Sequence, residues 1–155
     1  MSGDPARPNY GTYPQALQDL RTALGPENRL LHELSWEEDQ ALAAVSLELF
    51  PGRFDGLRWP DENVLTQAAE PDYERAARLL GDLIRQHSPK HADAVVFWGN
   101  LSIPTVRLPA RLAAANAGEL MDTGDDVWIY LPDRNVLVEY WHSGRITAGT
   151  VPVGC

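Results

Sequence analysis

Apolar residues recur along this chain with two periods, a helical one through its first half and a strand-like one towards its C-terminus. Between Tyr13 and Leu24, Leu17, Leu20 and Leu24 fall on one helical face; Pro14 suits the first turn and Gly25-Pro26 ends it. A second helix is expected to start at Ser35, with Glu38 three residues on completing a capping box. Glu37, Glu38 and Asp39 then occupy the first turn, where the helix dipole favours negative charge. Its expected buried stripe is Ala41, Leu42, Val45 and Leu49, and its expected stop is Pro51-Gly52. The stretch from Gly52 to Ala69 reads as loop. The clearest helix runs from Pro71 to Gln86. There Tyr73, Ala76, Ala77, Leu80, Leu83 and Ile84 make the apolar face, and Glu74, Arg75, Arg78, Asp82 and Arg85 make the polar one.

Beyond Ser88-Pro89 the pattern changes. The run from Asp93 to Trp98 is rich in β-formers and reads as a buried strand, closed by a Gly99-Asn100 turn. Ile103 to Leu108 is a second extended piece, which Pro104 and Pro109 assign to a sheet edge. An alanine-rich helix is expected from Arg111 to Leu120, then an acidic turn from Asp122 to Asp126. The remainder, from about Asp125 to Val151, is a β-meander. It comprises a strand from Val127 to Leu131, a turn at Pro132-Asp133-Arg134-Asn135, a strand from Val136 to His142, a two-residue hairpin at Ser143-Gly144 and a returning strand from Arg145. The expected fold class is α+β: N-terminal helices packed on a mainly antiparallel sheet that ends in this three-stranded meander. Residues 13–155 read as a single domain after a loose segment 1–12.

Sorting the meander by strand alternation places Val127, Ile129, Leu131, Val136, Val138 and Tyr140 on one face, with His142 at its end. Trp128, Tyr130, Leu137, Glu139, Trp141 and Ile146 fall on the other. A sheet with one wet face alternates apolar and polar residues, and this one does not, so both faces need cover. Either the rest of the chain supplies it, or the aromatic face is a binding surface, since Trp and Tyr are favoured interface anchors. A carboxylate among aromatics, Glu139, needs a partner, for which Arg107 and Arg145 are candidates.

Composition narrows the class. With 155 residues, the chain is long enough to bury a core without disulfides. Its 44% hydrophobic and 23% charged residues are those of a globular protein. The single cysteine, Cys155, cannot form an intramolecular disulfide. The first eight residues contain no apolar stretch, and no apolar run approaches the length of a bilayer span, so a cytoplasmic protein without membrane partners is expected. Heavy use of arginine over lysine (Lys90 is the only one), with much alanine and proline, fits a GC-rich bacterial genome. The net charge of −9 disfavours nucleic acid; it reads first as a means to solubility and, more sharply, as complementarity to a basic protein partner.

Catalytic signatures are absent from the sequence. His87 and His91 have helical metal-pair spacing, but Ser88-Pro89 interrupts it. There is neither a phosphate loop nor a nucleophile elbow. The acidic turn does not match a calcium loop. No metal or cofactor is therefore expected, and a non-enzyme is favoured. The leading expectation is a small acidic protein of the immunity or inhibitor type that neutralises a basic partner such as a toxin. In that reading Glu119, Asp122, Asp125 and Asp126, with Glu37 to Asp39 and Asp61-Glu62, imitate an array of phosphates. A second reading is a small-molecule-binding domain or small enzyme, with Glu139, Tyr140, Trp141 and His142 lining a pocket and Glu139 or His142 as acid or base. A third is an adaptor or assembly subunit docking, or forming a homodimer, through Trp128, Tyr130 and Trp141.

Overall fold

In the computed structural model, residues 9–51 and 57–153 are described. Two features of the chain therefore lie outside the described residues: most of the N-terminal segment expected to be loose, and Cys155. Helix α1 (Gln18–Leu24) follows a 3-10 turn from Pro14 to Leu17 and buries Leu17, Leu20 and Leu24, as their spacing requires. Gly25 ends it with φ +60°. Strand β1 is a two-residue piece (His32–Glu33). Helix α2 (Trp36–Ala44) carries the expected capping box: the Glu38 amide donates to Ser35 Oγ at 3.1 Å, and the Ser35 amide donates to Glu38 Oε1 at 3.0 Å. Strand β2 (Val64–Ala69) precedes α3 (Tyr73–Gln86), which Asp72 caps. Strands β3 (Asp93–Trp98) and β4 (Val106–Pro109) lead into α4 (Ala110–Ala115) and α5 (Ala117–Thr123), and the meander is β5 (Val127–Leu131), β6 (Val136–Tyr140) and β7 (Arg145–Thr150).

All seven strands form one antiparallel sheet in the order β1-β4-β3-β5-β6-β7-β2, so the fold is α+β and the meander lies within its larger sheet. Helices α1, α3, α4 and α5 cover one face, where Leu80, Ile84, Leu120, Ile129 and Val138 belong to a single large core. Helix α2 and the turns after it cover the other, where Phe50, Leu57, Val95, Tyr130 and Leu137 form a smaller core. The doubly apolar meander is thus covered largely by its own chain. No helix among the described residues is long and apolar enough to cross a membrane.

Five local expectations need correction. The stripe expected on α2 forms only in part: Leu42 and Leu49 are half-buried against the smaller core, but Ala41 is exposed, Val45 is 51% exposed, and the buried positions of the helix are Asp39 and Ala43. The helix stops at Ala44, where Ser46 Oγ donates back to the Leu42 carbonyl at 2.7 Å, so the helical periodicity does not extend to Val45 and Leu49. The stretch read as loop before Ala69 contains strand β2. It pairs with β7 on one side only and alternates half-buried and exposed residues, and its mixture of Thr, Gln and Ala gives a weak strand signal. Strand β4 is not an edge, because β1 pairs with it through His32 and Glu33. The helix expected from Arg111 to Leu120 is two helices broken at Asn116, and α5 takes Asp122 out of the expected acidic turn.

The fifth correction concerns the last hairpin. A two-residue turn at Ser143-Gly144 would pair His142 with Arg145. Instead Tyr140 pairs with Ile146, the Trp141 amide donates to the Arg145 carbonyl, and the Gly144 amide donates to the Trp141 carbonyl. The loop is thus three residues, His142 to Gly144, closed by Gly144 at φ +97°, which glycine adopts without strain. One extra loop residue shifts the register by one and moves Ile146 to the helix-covered face, beside Tyr140. Val127, Ile129, Leu131, Val136, Val138 and Tyr140 on one side, and Trp128, Tyr130 and Leu137 with Glu139 on the other, lie on the faces their alternation assigns.

Candidate functional site

The two buried carboxylates on the α2 side of the sheet behave differently. Glu139, on β6, is 0% exposed. The Leu57 amide and the Trp128 indole donate to its Oε2 at 2.9 and 2.8 Å, and the Trp59 indole donates to its Oε1 at 3.2 Å. Of its two candidate partners, Arg145 approaches, with Nη2 at 3.7 Å from Oε1. Three N–H donors and a guanidinium close this carboxylate off, so Glu139 ties the segment after residue 56 to the sheet. It is not open to a ligand. Tyr140, its neighbour in sequence, lies on the opposite face, and His142 is exposed. The set Glu139, Tyr140, Trp141 and His142 therefore lines no common pocket.

Asp39, on the inward side of α2, is 4% exposed. The Thr105 hydroxyl donates to its Oδ1, and the Gln40 side-chain amide donates to Oδ2 at 2.9 Å. Among the described residues it has no ion-pair partner. Thr105 is held in turn by Tyr10: the Thr105 amide donates to the Tyr10 hydroxyl at 3.0 Å, and that hydroxyl donates to the Leu34 carbonyl at 2.7 Å. Burial, opposed by the Thr105 amide and reinforced by the negative charge of Asp39, pushes the Tyr10 phenol above its ordinary value. Burial likewise raises Tyr130 and Tyr140. Their neutral forms are favoured in the folded chain, so the stability they contribute is complete below the unfolded value near 10 and is lost as pH rises through the raised folded values. Urea midpoints are expected to be flat across the neutral range and to fall above about pH 10. Tyr10→Phe is expected to soften that decline; an unchanged alkaline profile would refute the assignment to Tyr10.

Asp39 forms part of a cleft of about 510 Å³ between α2 and the sheet. Helix α2 contributes Trp36, Asp39, Gln40 and Ala43, and the turn after it Leu47 and Glu48. The far wall is Phe97 and Trp98 at the end of β3, Leu101, Ile103 and Thr105 in the following loop, and Trp128 on β5. The described lining includes two carboxylates and no Lys, Arg or His. A buried charge in low dielectric is costly without a partner, and the two hydrogen bonds to Asp39 are its only side-chain compensation among the described residues.

Of the expected site residues only Trp128 and, from the acidic array, Asp39 line this cleft; the others lie elsewhere, some of them on the opposite side of the sheet. Trp128 also binds Glu139. Tyr130 is buried and donates to Asn135 Oδ1 at 2.9 Å. Trp141 lies half-buried, its ring 6.5 Å from Trp128 and 4.8 Å from His142. Asp126 accepts the His142 amide at 2.7 Å and sits 2.9 Å from its Nδ1. Asp125 and Asp126 line a neighbouring cleft of about 330 Å³ that shares Gly99 and Ile103 with the first. Asp122 is bonded by the Tyr73 hydroxyl, whose pKa burial and this carboxylate raise, and Glu119 lies in the first turn of α5. Glu38 is used by the capping box, which holds its carboxyl below the usual range, and Asp39 by Thr105. Several of the acids expected to imitate phosphates are therefore engaged internally. Sequence reasoning did not single out Trp36, Phe97, Leu101 or Thr105 as site residues, and it treated Asp39 as a helix-dipole partner and a member of the surface acidic array, not as a buried carboxylate. One signal was available: Asp39 and Ala43 are four apart, which puts a carboxylate on the same helix face as a small core residue.

Neither the protein-family models nor the curated proteins include a match to this chain.

Proposed function

We propose that this chain is a protein-binding protein of the inhibitor or immunity type, which neutralises a basic partner such as a toxin by receiving it on the cleft between α2 and the sheet. The observation that carries this reading is the cleft's makeup: aromatic walls, a buried carboxylate at Asp39, a second at exposed Glu48, and no cation in its described lining. Aromatic side chains are the usual anchors of protein interfaces, and charge depleted of one sign selects partners of the other. The net charge of −9 adds long-range attraction for a basic surface.

The test is affinity capture from the native host at near-physiological salt, comparing the wild type with a Glu37→Arg/Glu48→Arg variant. Both positions are exposed, so the fold should tolerate the change. A basic protein retained by the wild type, released by raised salt and lost from the variant supports the reading. Capture that is identical for the two proteins, or no capture by the wild type, removes it.

One observation favours a second reading. The cleft's volume falls in the range of small-molecule sites, about 300–1,000 Å³. A small organic cation bound here would leave affinity capture empty while shifting the resonances of Trp36 and Trp128.

A further inference from the structure

The structure's two buried carboxylates on one side of the sheet differ in a way that identifies what the cleft takes. Glu139 is neutralised from within by Arg145 and three N–H groups. Asp39 is nearly as buried, yet it has hydrogen bonds only from a neutral hydroxyl and a neutral amide. A carboxylate has about four acceptor positions, and two of those on Asp39 are used. Arg107 is close enough to act on the exposed Glu38 charge, but it is neither an ion-pair partner of Asp39 nor part of the cleft's lining. No described cation thus lies within ion-pair distance of Asp39, and the cavity that Asp39 lines is where one would fit.

We infer that the cleft receives a single arginine side chain of the partner, its guanidinium on Asp39 and its methylene stem along Trp36 and Trp128. This inference rests on the proposed function and names the group that is recognised. Arginine is preferred over lysine for two reasons of chemistry. A guanidinium is planar, stacks on indole faces and donates from a fork, whereas an ammonium is more strongly hydrated and loses more on entering an aromatic-lined space. Two carboxylates at different depths, Asp39 buried and Glu48 exposed, also suit a donor group with several N–H bonds directed apart.

The probe is N-acetyl-arginine amide, compared with N-acetyl-lysine amide and the neutral isostere N-acetyl-citrulline amide. Each is titrated into the full chain while the indole N–H resonances are followed by NMR. The arginine probe should shift Trp36 and Trp128 saturably, with a dissociation constant on the order of 1 mM, as befits a fragment of an interface. The lysine probe should bind at least several-fold more weakly, and citrulline should give no saturable shift. Asp39→Asn should abolish the arginine response with the far-ultraviolet circular dichroism unchanged. If that variant does not fold, Glu48→Gln, at an exposed position, should weaken the response at least twofold. Equal binding of citrulline, equal binding of lysine, or shifts that ignore both substitutions would each overturn the inference. Its failure is distinct from failure of the proposed function. A basic partner captured by wild type and Asp39→Asn alike would leave the function standing and sink the arginine site. An arginine response without any captured partner would do the reverse.

Discussion

Glu139→Ala is expected to destabilise the protein by roughly 3–5 kcal/mol, the cost of removing one member of a buried, charged hydrogen-bond network. Removing the carboxylate takes the acceptor from the Leu57 amide and from the indoles of Trp59 and Trp128, and leaves Arg145 without its ion-pair partner. Unsatisfied donors in a dry core each cost about 1–3 kcal/mol, and apolar substitution of Glu139 alone does not relieve them. Glu139→Gln keeps the shape and one acceptor but turns an NH2 group towards N–H donors, so an intermediate loss of about 1–3 kcal/mol is expected. Against a total stability of about 5–15 kcal/mol, Glu139→Ala would leave a marginal fold. Urea unfolding followed by circular dichroism measures both. A loss under about 1 kcal/mol for Glu139→Ala would show that the network is dispensable.

The second large effect lies at Gly149, on β7. A Cβ built there would sit 2.2 Å from the Asn63 carbonyl oxygen and 2.7 Å from Cζ3 of Trp59. The first of these neighbours is backbone and cannot rotate away. Gly149→Ala must therefore push β2 and the turn before it off the sheet, at a cost of about 3 kcal/mol or more. Gly118→Ala is the matched control: its new Cβ meets only the Ala77 side chain, at 3.7 Å, and lies in helix α5, so it should be neutral to mildly stabilising. Because Trp59 touches Gly149 and also donates to Glu139, the two sites should couple. The double variant Glu139→Gln/Gly149→Ala is expected to lose less than the sum of the single losses. Strict additivity, or a native-like midpoint for Gly149→Ala, would mean that the segment from Leu57 to Asn63 is not held between these residues.

These two positions also mark where sequence reading stops. The strongest helix, α3, was legible because fourteen residues from Tyr73 to Gln86 repeat one apolar face. The Ser35 capping box was legible because both of its partners lie within one turn of each other. The meander's face assignment was legible as far as local turns set its register, and it failed at Ile146, where a three-residue loop replaced the two-residue one. Strands β1 and β2 were illegible, one too short and the other too polar to show a pattern, since each exists only by pairing with a strand distant in sequence.

The candidate site was less legible than the fold. Trp128 was singled out as an aromatic on a sheet face, and it does line the cleft. Beyond its four-residue spacing to Ala43, Asp39 carried no sign of burial, because Thr105 and Tyr10, which fix its surroundings, lie 66 residues after it and 29 residues before it in the chain. Glu139 was recognised as a carboxylate in need of partners; its donor Trp128 is its cross-strand neighbour within the meander, whereas the donors Trp59 and the Leu57 amide reach it only because chain 80 or more residues away returns to the sheet.

By itself, then, the amino-acid sequence determined the helices and strands whose hydrophobic period is repeated over several turns or pairs, the meander, and the acidic charge. These depend on residues within one turn or hairpin of each other, where geometry is set by local sterics and hydrogen bonds. The tertiary structure alone decided which face of α2 is buried, which carboxylate is neutralised from within and which is left facing a cleft. Those outcomes depend on desolvation and on contacts between segments far apart in the chain, and no local pattern encodes which donors will reach a buried charge.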